Sequence, residues 1–267
     1  MASPSWDPAQ YQRYAGERAR PFLDLIGRVH TPSPATVVDL GCGPGPMTAI
    51  LSDRWPDAEV TGVDSSAEMI EAAAALARPG RLRFAVGSIE DWEPAPVDVI
   101  VSNAALQWVP GHVDLLPRWA AVLRPGGALA FQVPRSTGVL AGDIFRSVAA
   151  SPRWAAPLAD AAAAAGPRSA ASPVRPIAQY VDGLARLGLA VDAWETTYQH
   201  VLPGTDTVLE WFSGTGLRPY LDALAGDPRL LEEFRAEVAA RLRDAYPAAP
   251  YGTILPFPRI FVVAHRA

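Results

Sequence analysis

The 267-residue sequence predicts an α/β fold: a doubly wound, seven-stranded, mostly parallel sheet with a helical cap. Three observations lead there. Short, continuously apolar segments alternate with segments of helical period through the first half of the chain, the pattern of strands buried on both faces. Hydrophobic residues make up 49% of the chain and charged residues 19%, which supports a sizeable core rather than disorder. Two late strand-like stretches bracket a mostly helical block, which reads as a closing strand pair with a cap inserted between its members.

Residues 7–29 carry apolar side chains near a helical period (Tyr11, Tyr14, Phe22, Leu25, Ile26, Val29), with Asp7 and Pro8 as N-cap and first helical position. ATVVDLG (35–41) is a strand and residues 46–54 a helix; AEVTGVD (58–64) is a second strand and residues 67–77 a helix. RLRFAVG (81–87), VDVIVSN (97–103) and GALAFQV (127–133) are the next three strands, with an amphipathic helix over 113–123 closed by RPGG. Residues 151–173 are rich in Ala, Pro and Ser; a flap and a partly helical cap are both compatible with that composition. A helix over 177–187 ends at Gly188, and VDAWETTYQHVL (191–202) and RIFVVAHR (259–266) are strands around the helical block 205–246.

Charge and composition bound the function. The net charge is −5, which argues against a nucleic-acid footprint. All 23 basic residues are Arg, so every cationic anchor is a planar fork suited to carboxylates. The single cysteine, Cys42, permits neither a disulfide framework nor a Cys-based zinc site. His200 and His265 lack ligand-spaced partners, so no metal is expected. The first residues show no apolar run of the signal-peptide kind, and nothing approaches the roughly 18 apolar residues of a membrane span. The expectation is a cytoplasmic protein without membrane or nucleic-acid partners, a monomer or weak homodimer.

The stretch VVDLGCGPGPM (37–47) decides what the sheet binds. A dinucleotide loop of the form G-x-G-x-x-G, counted from Gly41 and Gly43, needs a third glycine where Pro46 stands. A phosphate-binding P-loop needs a Lys, and the chain has none. What is left is D-x-G-x-G-x-G: Asp39, Gly41, Gly43 and Gly45. Asp39 places a carboxylate at a strand end, where it suits an ammonium group. Asp64 closes the second strand, placed to accept hydrogen bonds from two ribose hydroxyls.

These residues resemble the class I S-adenosylmethionine-dependent methyltransferases. WDPAQY, GVDSSAEMI, SNAALQWVP, WETTYQH, GLRPY and FPRIFVVA further resemble the trans-aconitate methyltransferases, over most of the chain except roughly 135–175. The resemblance implies a Rossmann-like sheet and S-adenosyl-L-methionine as cofactor. It implies that Asp39, Gly41 and Gly43 line the methionine moiety, with Cys42 contributing backbone rather than thiol. Asp64 would hold the ribose, with Ser65 and Met69 beside the adenosine. Ser88 stands where such enzymes often carry an acidic residue for the adenine amino group, and Ile89 is a backbone contact. Asn103 would lie near the sulfonium.

The acceptor is read from chemistry. A carboxylate with a pKa around 4 is already ionised near neutrality, so its methylation needs alignment but no general base. A phenol or amine would want a nearby His, Asp or Glu. SNAALQWVP offers Asn103, Gln107 and Trp108 but nothing titratable. Arg20, Arg218 and Arg259 are candidate forks for a small polycarboxylate. Tyr198 and His200 lie two apart on one strand face and suit substrate contact or structural hydrogen bonding equally. Tyr11, with Trp6, suits either a core position or a lid over the cofactor, whereas Trp211 and Phe212 pack the cap. The expected partition is one domain: a lid over 1–34, a cofactor-binding core over 35–134, a variable segment over 135–175 and a cap over 203–252. The expected reaction is transfer of a methyl group to one carboxylate of trans-aconitate. Other acceptors (phenols, quinones), a non-catalytic cofactor-binding protein and a nicotinamide-dependent dehydrogenase are the alternatives, the last disfavoured by Pro46.

Overall fold

A computed structural model describes residues 15–93, 95–135, 140–165 and 174–267. In chain order the elements are α1 (Ala15–Ile26), β1 (Thr36–Leu40), α2 (Pro46–Arg54), β2 (Glu59–Asp64), α3 (Ala67–Ala73), β3 (Leu82–Val86) and β4 (Val97–Asn103). There follow α4 (Leu116–Val122), β5 (Leu123–Pro134), α5 (Leu140–Ala149), α6 (Ala159–Ala165), α7 (Ile177–Arg186) and β6 (Leu189–Leu202). The chain ends with α8 (Thr207–Ser213), α9 (Arg218–Ala223), α10 (Pro228–Ala245), β7 (Ala248–Ala249) and β8 (Gly252–Arg266).

The described residues fall into two compact units. Those within Met1–Pro134, Pro173–Thr196 and Arg259–Ala267 form the first, those within Arg135–Ser172 and Thr197–Pro258 the second. The sheet runs β3-β2-β1-β4-β5-β8-β6, with the two-residue β7 paired to β8 alone. Strands β1 to β5 pair in parallel, and β8 runs antiparallel to β5. The strand order reverses between β1 and β4, and in open α/β sheets ligands bind beyond the carboxyl ends of the strands at such a point.

Register decides which side chains meet there. Asp39 is paired with Gly62 on β2 and with Val101 on β4. Two residues further along those strands are Asp64 and Asn103, on the same face. Asn103 is in turn opposite Gln132 on β5, and Pro134 is opposite Arg259 on β8. Alternation therefore puts Asp64, Asp39, Asn103, Gln132 and Arg259 on one face, level with the carboxyl ends of β2, β1, β4 and β5. The opposite face is the main core: Ile100, Leu129, Phe131, Val133, Ile260 and Val262 pack against Leu116 and Trp119 of α4 and Tyr180 and Leu184 of α7. Each such fully buried side chain contributes roughly 1.5–3 kcal/mol.

Two local anchors hold the carboxyl edge. Pro46 sits in the first turn of α2 behind Gly45, whose φ of 89° turns the chain from loop into helix. The 3-10 turn His112–Asp114 is fixed by buried His112, whose Nε2 lies 2.8 Å from Tyr180 Oη on α7. Burial holds the His112 pKa below its ordinary value, so the ring stays neutral near pH 7.

Several boundaries move from expectation. The helix expected over 113–123 starts at Leu116 because Pro117 opens a new first turn, and β5 already begins at Leu123. The helix expected through 77 tightens to a 3-10 turn over Ala74–Leu76. Strand β8 begins at Gly252, seven residues earlier than RIFVVAHR. In the second unit, α6 lies in the stretch 151–173 whose composition left conformation open, and α5 precedes it. Trp154, fully buried, fixes that region by donating from Nε1 to Glu237 at 2.7 Å and packing edge-on against Phe234. Trp211 and Phe212 are buried in an aromatic cluster with His200 and Phe257, as their packing role requires. Among the described residues, no helix is long and apolar enough to cross a membrane.

Candidate active site

The glycine loop owes its shape to left-handed backbone and close approach. Gly41 has φ 79°, and a Cβ there would overlap the Ala105 Cβ. Gly41 and Cys42 both donate their N–H to Val63 O, at 2.8 and 3.1 Å, stitching the loop to β2. Gly43 (φ 55°) donates to Asp64 Oδ2 at 2.8 Å, while Ser66 donates to Oδ1 at 2.9 Å. Each Asp64 oxygen thus holds one backbone donor, and a carboxylate oxygen accepts two, so both can also receive a hydroxyl.

Asp39 is 2% exposed. Its Oδ2 accepts from the Thr48 hydroxyl at 2.7 Å, whereas Oδ1 is buried with no hydrogen-bond partner. Burial, opposed by Thr48 and reinforced by the negative charge of Asp64, pushes its pKa up to about 7. A buried carboxylate with one empty oxygen is complementary to a cationic donor. Cys42 carries no such chemistry: burial, together with Asp39 and Asp64, pushes its thiol well above the ordinary range.

The adenosine candidates surround β2 and β3. Ser65 is exposed, Met69 and Ile89 are buried, and Ile89 Cδ1 comes within 3.4 Å of where a Gly41 Cβ would sit. Ser88 Oγ lies 3.2 Å from Glu90 Oε2 and 3.1 Å from Asp91 Oδ2. Two carboxylates, those of Glu90 and Asp91, therefore stand beside Ser88 in the folded turn.

At the end of β4, Ala104 adopts φ 54°, a conformation rare without glycine, while its N–H donates to Gln132 O at 3.0 Å. Gln107 donates from Nε2 to Ala104 O at 2.5 Å, and its Oε1 is buried without a partner. Trp108 is 46% exposed. Gln132, fully buried, donates to Asn103 Oδ1 at 2.7 Å and accepts from Arg259 Nη1 at 3.0 Å. The sequence reading missed Gln132, although a lone amide inside apolar GALAFQV was the available signal.

The other acceptor candidates divide. Arg259 is 5% exposed on the face shared with Asp39 and Asn103, and Arg20 is exposed on α1. In the second unit Tyr198 stacks on His200 at 6.0 Å, both buried, with His200 4.9 Å from Trp211. Arg218 points its Nε at Asp222 one helical turn on, at 2.7 Å. Tyr11 and Trp6 lie outside the described residues. A cavity of about 630 Å³ in the second unit, lined by Arg135, Thr197, Tyr246 and Tyr251 among others, includes none of the cofactor candidates.

A family model described as a methyltransferase domain matches residues 37–127. The trans-aconitate 2-methyltransferase of Streptomyces avermitilis is 50% identical to this chain over 99% of its length and 98% of the relative's. The chain belongs to the trans-aconitate 2-methyltransferase family. Another member, from Rhodococcus jostii, is 48% identical over 97% of this chain and 98% of its own. Among solved structures, the YcgJ protein of Bacillus subtilis superposes with a TM-score of 0.58 over 93% of this chain and 98% of its own, at 15% identity. The geranyl diphosphate C-methyltransferase of Streptomyces coelicolor does so with 0.54 over 97% and 84%, at 17% identity. At such identities the superpositions establish the fold, a Rossmann-like sheet.

S-adenosylmethionine is the cofactor of this methyltransferase family, and the loop fits it. The empty Asp39 oxygen suits its ammonium, and the backbone of Gly41 and Gly43 leaves the carboxyl edge of β1 without side chains. Gly41→Ala is expected to abolish measurable cofactor binding while the fold persists, because the added Cβ must displace Ala105 and strain a positive φ. Calorimetric titration with S-adenosylhomocysteine checks this; wild-type affinity in the variant would mean that the ligand lies elsewhere.

Proposed function

We propose that this chain transfers the methyl group of S-adenosylmethionine to one carboxylate of trans-aconitate, giving a monomethyl ester. The observation that carries the acceptor class is buried Arg259, joined through Gln132 to Asn103 on the face that also holds Asp39. That row offers a guanidinium and two amides, none of which can remove a proton. Such a lining suits an acceptor that arrives ionised, as a carboxylate does. The near-full-length relatives bearing the trans-aconitate name support the specific acceptor.

In this reading Asp39 accepts from the ammonium, Asp64 from the ribose hydroxyls, and Ser65, Met69, Ser88 and Ile89 border the adenosine. Bound there, S-adenosylmethionine supplies a methyl group on a positively charged sulfur, open to in-line displacement by a carboxylate oxygen. Arg259 and Asn103 align that oxygen, and Gln107 and Trp108 close the turn beside it. Alignment and exclusion of water do the work, since a nucleophile already ionised needs no base. Tyr11, Tyr198, His200 and Arg218 are further acceptor candidates on the strength of the family-like blocks that carry them, and Arg20 as a guanidinium fork on α1.

Incubation of the purified protein with methyl-labelled cofactor and trans-aconitate is expected to yield an alkali-labile methyl ester. Protein that binds S-adenosylhomocysteine yet esterifies no trans-aconitate, while methylating a phenol or quinone, would overturn the acceptor assignment and leave the cofactor assignment standing.

A further inference from the structure

Asn103, Gln132 and Arg259 stand on three adjacent strands, β4, β5 and β8, and form one hydrogen-bonded row. Two of the three are amides, whose oxygen and nitrogen ends are chemically opposite but sterically alike. The third removes the ambiguity. A guanidinium has donors only, so the Gln132 atom facing Arg259 Nη1 at 3.0 Å must be the carbonyl oxygen. The other end of Gln132 is then its NH2, a donor, and the Asn103 atom 2.7 Å away must be Oδ1. Planarity of the Asn103 amide sends Nδ2 the other way. Among the described residues, Nδ2 has no hydrogen-bond partner, while both ends of fully buried Gln132 are satisfied.

We infer that Gln132 is a positioning residue that sets the polarity of the acceptor end of the site: held by Arg259, it turns the Asn103 amide so that an N–H donor faces the acceptor carboxylate. Arg259 and Asn103 thereby offer donors of one sense to an anion, though they sit on strands separated by β5. Without that constraint an asparagine amide presents oxygen as readily as nitrogen, and an oxygen facing a carboxylate repels it. The inference rests on the carboxylate-acceptor reading for its kinetic consequence but not for the amide orientation itself.

Gln132→Glu tests it, because the variant is nearly isosteric and reverses polarity toward Asn103; it also adds a negative charge beside Arg259, an effect that does not run through Asn103. The carboxylate so introduced can still accept from Arg259, but toward Asn103 it offers only an acceptor. Asn103 must then flip to donate with Nδ2, presenting Oδ1 to the acceptor. The expected result is an acceptor KM raised about 100-fold, with the Kd for S-adenosylhomocysteine within about threefold of wild type. In an Asn103→Ala background the same substitution should raise KM less, by at least a factor of about five, since part of its effect runs through Asn103. Strict additivity, or an acceptor KM within about twofold of wild type, would overturn the inference. Equal losses of acceptor and cofactor binding would do the same, since they indicate a general structural role.

Side-chain amide NMR of the full chain separates this outcome from failure of the acceptor reading. The wild type should show a Gln132 NH2 protected from exchange and an Asn103 NH2 that exchanges freely; Gln132→Glu should confer protection on Asn103. That pattern does not depend on which acceptor is methylated. A protected Asn103 NH2 in the wild type would overturn the assignment even if trans-aconitate proves to be the substrate.

Discussion

Asp39→Asn should weaken cofactor binding at least about 100-fold at pH 8 while making the ligand-free protein more stable. The two signs come from one geometry. Asp39 Oδ2 is committed to Thr48, which donates, and Oδ1 is buried and empty. In the variant the Asn oxygen takes the Thr48 hydroxyl, so Nδ2 occupies the place of Oδ1 and points a donor at the ligand's ammonium. Losing a charge-assisted hydrogen bond and gaining a donor–donor contact costs about 3 kcal/mol or more in binding. Stability moves the other way. Above pH 7 the ligand-free wild type holds a carboxylate that burial and Asp64 disfavour, with a pKa of about 7 against 3.8 for the ordinary group. Between those values the folded state binds more protons than the unfolded chain, so Asp39 lowers stability progressively as pH rises from about 4 to 7. The stabilisation of the variant over wild type should be absent below about pH 4, grow across that interval and level off above it. Wild-type cofactor affinity should also increase about tenfold per pH unit below 7, because binding the ammonium expels the proton. Melting curves of both proteins from about pH 3 to 8, with cofactor titrations from about pH 5 to 8, measure all of this. Unchanged affinity in the variant would remove Asp39 from the ammonium site.

The sequence exposed the sheet because β1 to β4 are short, largely apolar runs that end at or just before Gly, Asp or Asn, where strand chemistry and turn chemistry change within a residue. Helix α2 was equally plain, since Pro46 can only open a helix and does so directly after a glycine. The first residues of β8 were hidden by Pro256 and Pro258, which argue against a strand unless their missing N–H groups face away from the ladder. Helix α6 was hidden for a different reason. A run of alanines has propensity but no amphipathic face, so burial of neighbours such as Trp154 and Leu158 had to decide its fate. The site divided along the same line. Asp39 and Asp64 were legible because glycine spacing and strand ends fix their positions by covalent connection. The shared face of Tyr198 and His200 was legible from strand alternation; the aromatic rings that enclose His200 come from residues up to 57 positions away and were not. Gln132 showed locally only as a lone amide in an apolar strand, with nothing to say what it meets. Its role exists only because β4, β5 and β8 are neighbours, and the order of strands in a sheet is not written in any one of them.

Arg259→Ala should raise the acceptor KM about 100-fold or more and leave the Kd for S-adenosylhomocysteine within about twofold. A guanidinium keeps its charge at any relevant pH and offers five N–H groups, so a bond to Gln132 and a two-pronged contact with a carboxylate are compatible on one side chain. At 5% exposure the surroundings screen that contact poorly, which is where a forked ion pair outweighs the cost of desolvating it. Truncating one partner of such a pair costs on the order of 2–5 kcal/mol in binding. The cofactor should hardly sense the change, because Arg259 is on β8 and bonds to Gln132, whereas Asp39 and Asp64 hold the loop through Thr48, Gly43 and Ser66. Arg259→Lys distinguishes charge from shape. It retains the cation but loses the fork and shortens the reach to Gln132, so it should recover only part of the affinity. Steady-state kinetics with trans-aconitate varied at saturating cofactor, beside calorimetry for the product, gives both numbers. An acceptor KM unaltered in Arg259→Ala would take this residue out of the site.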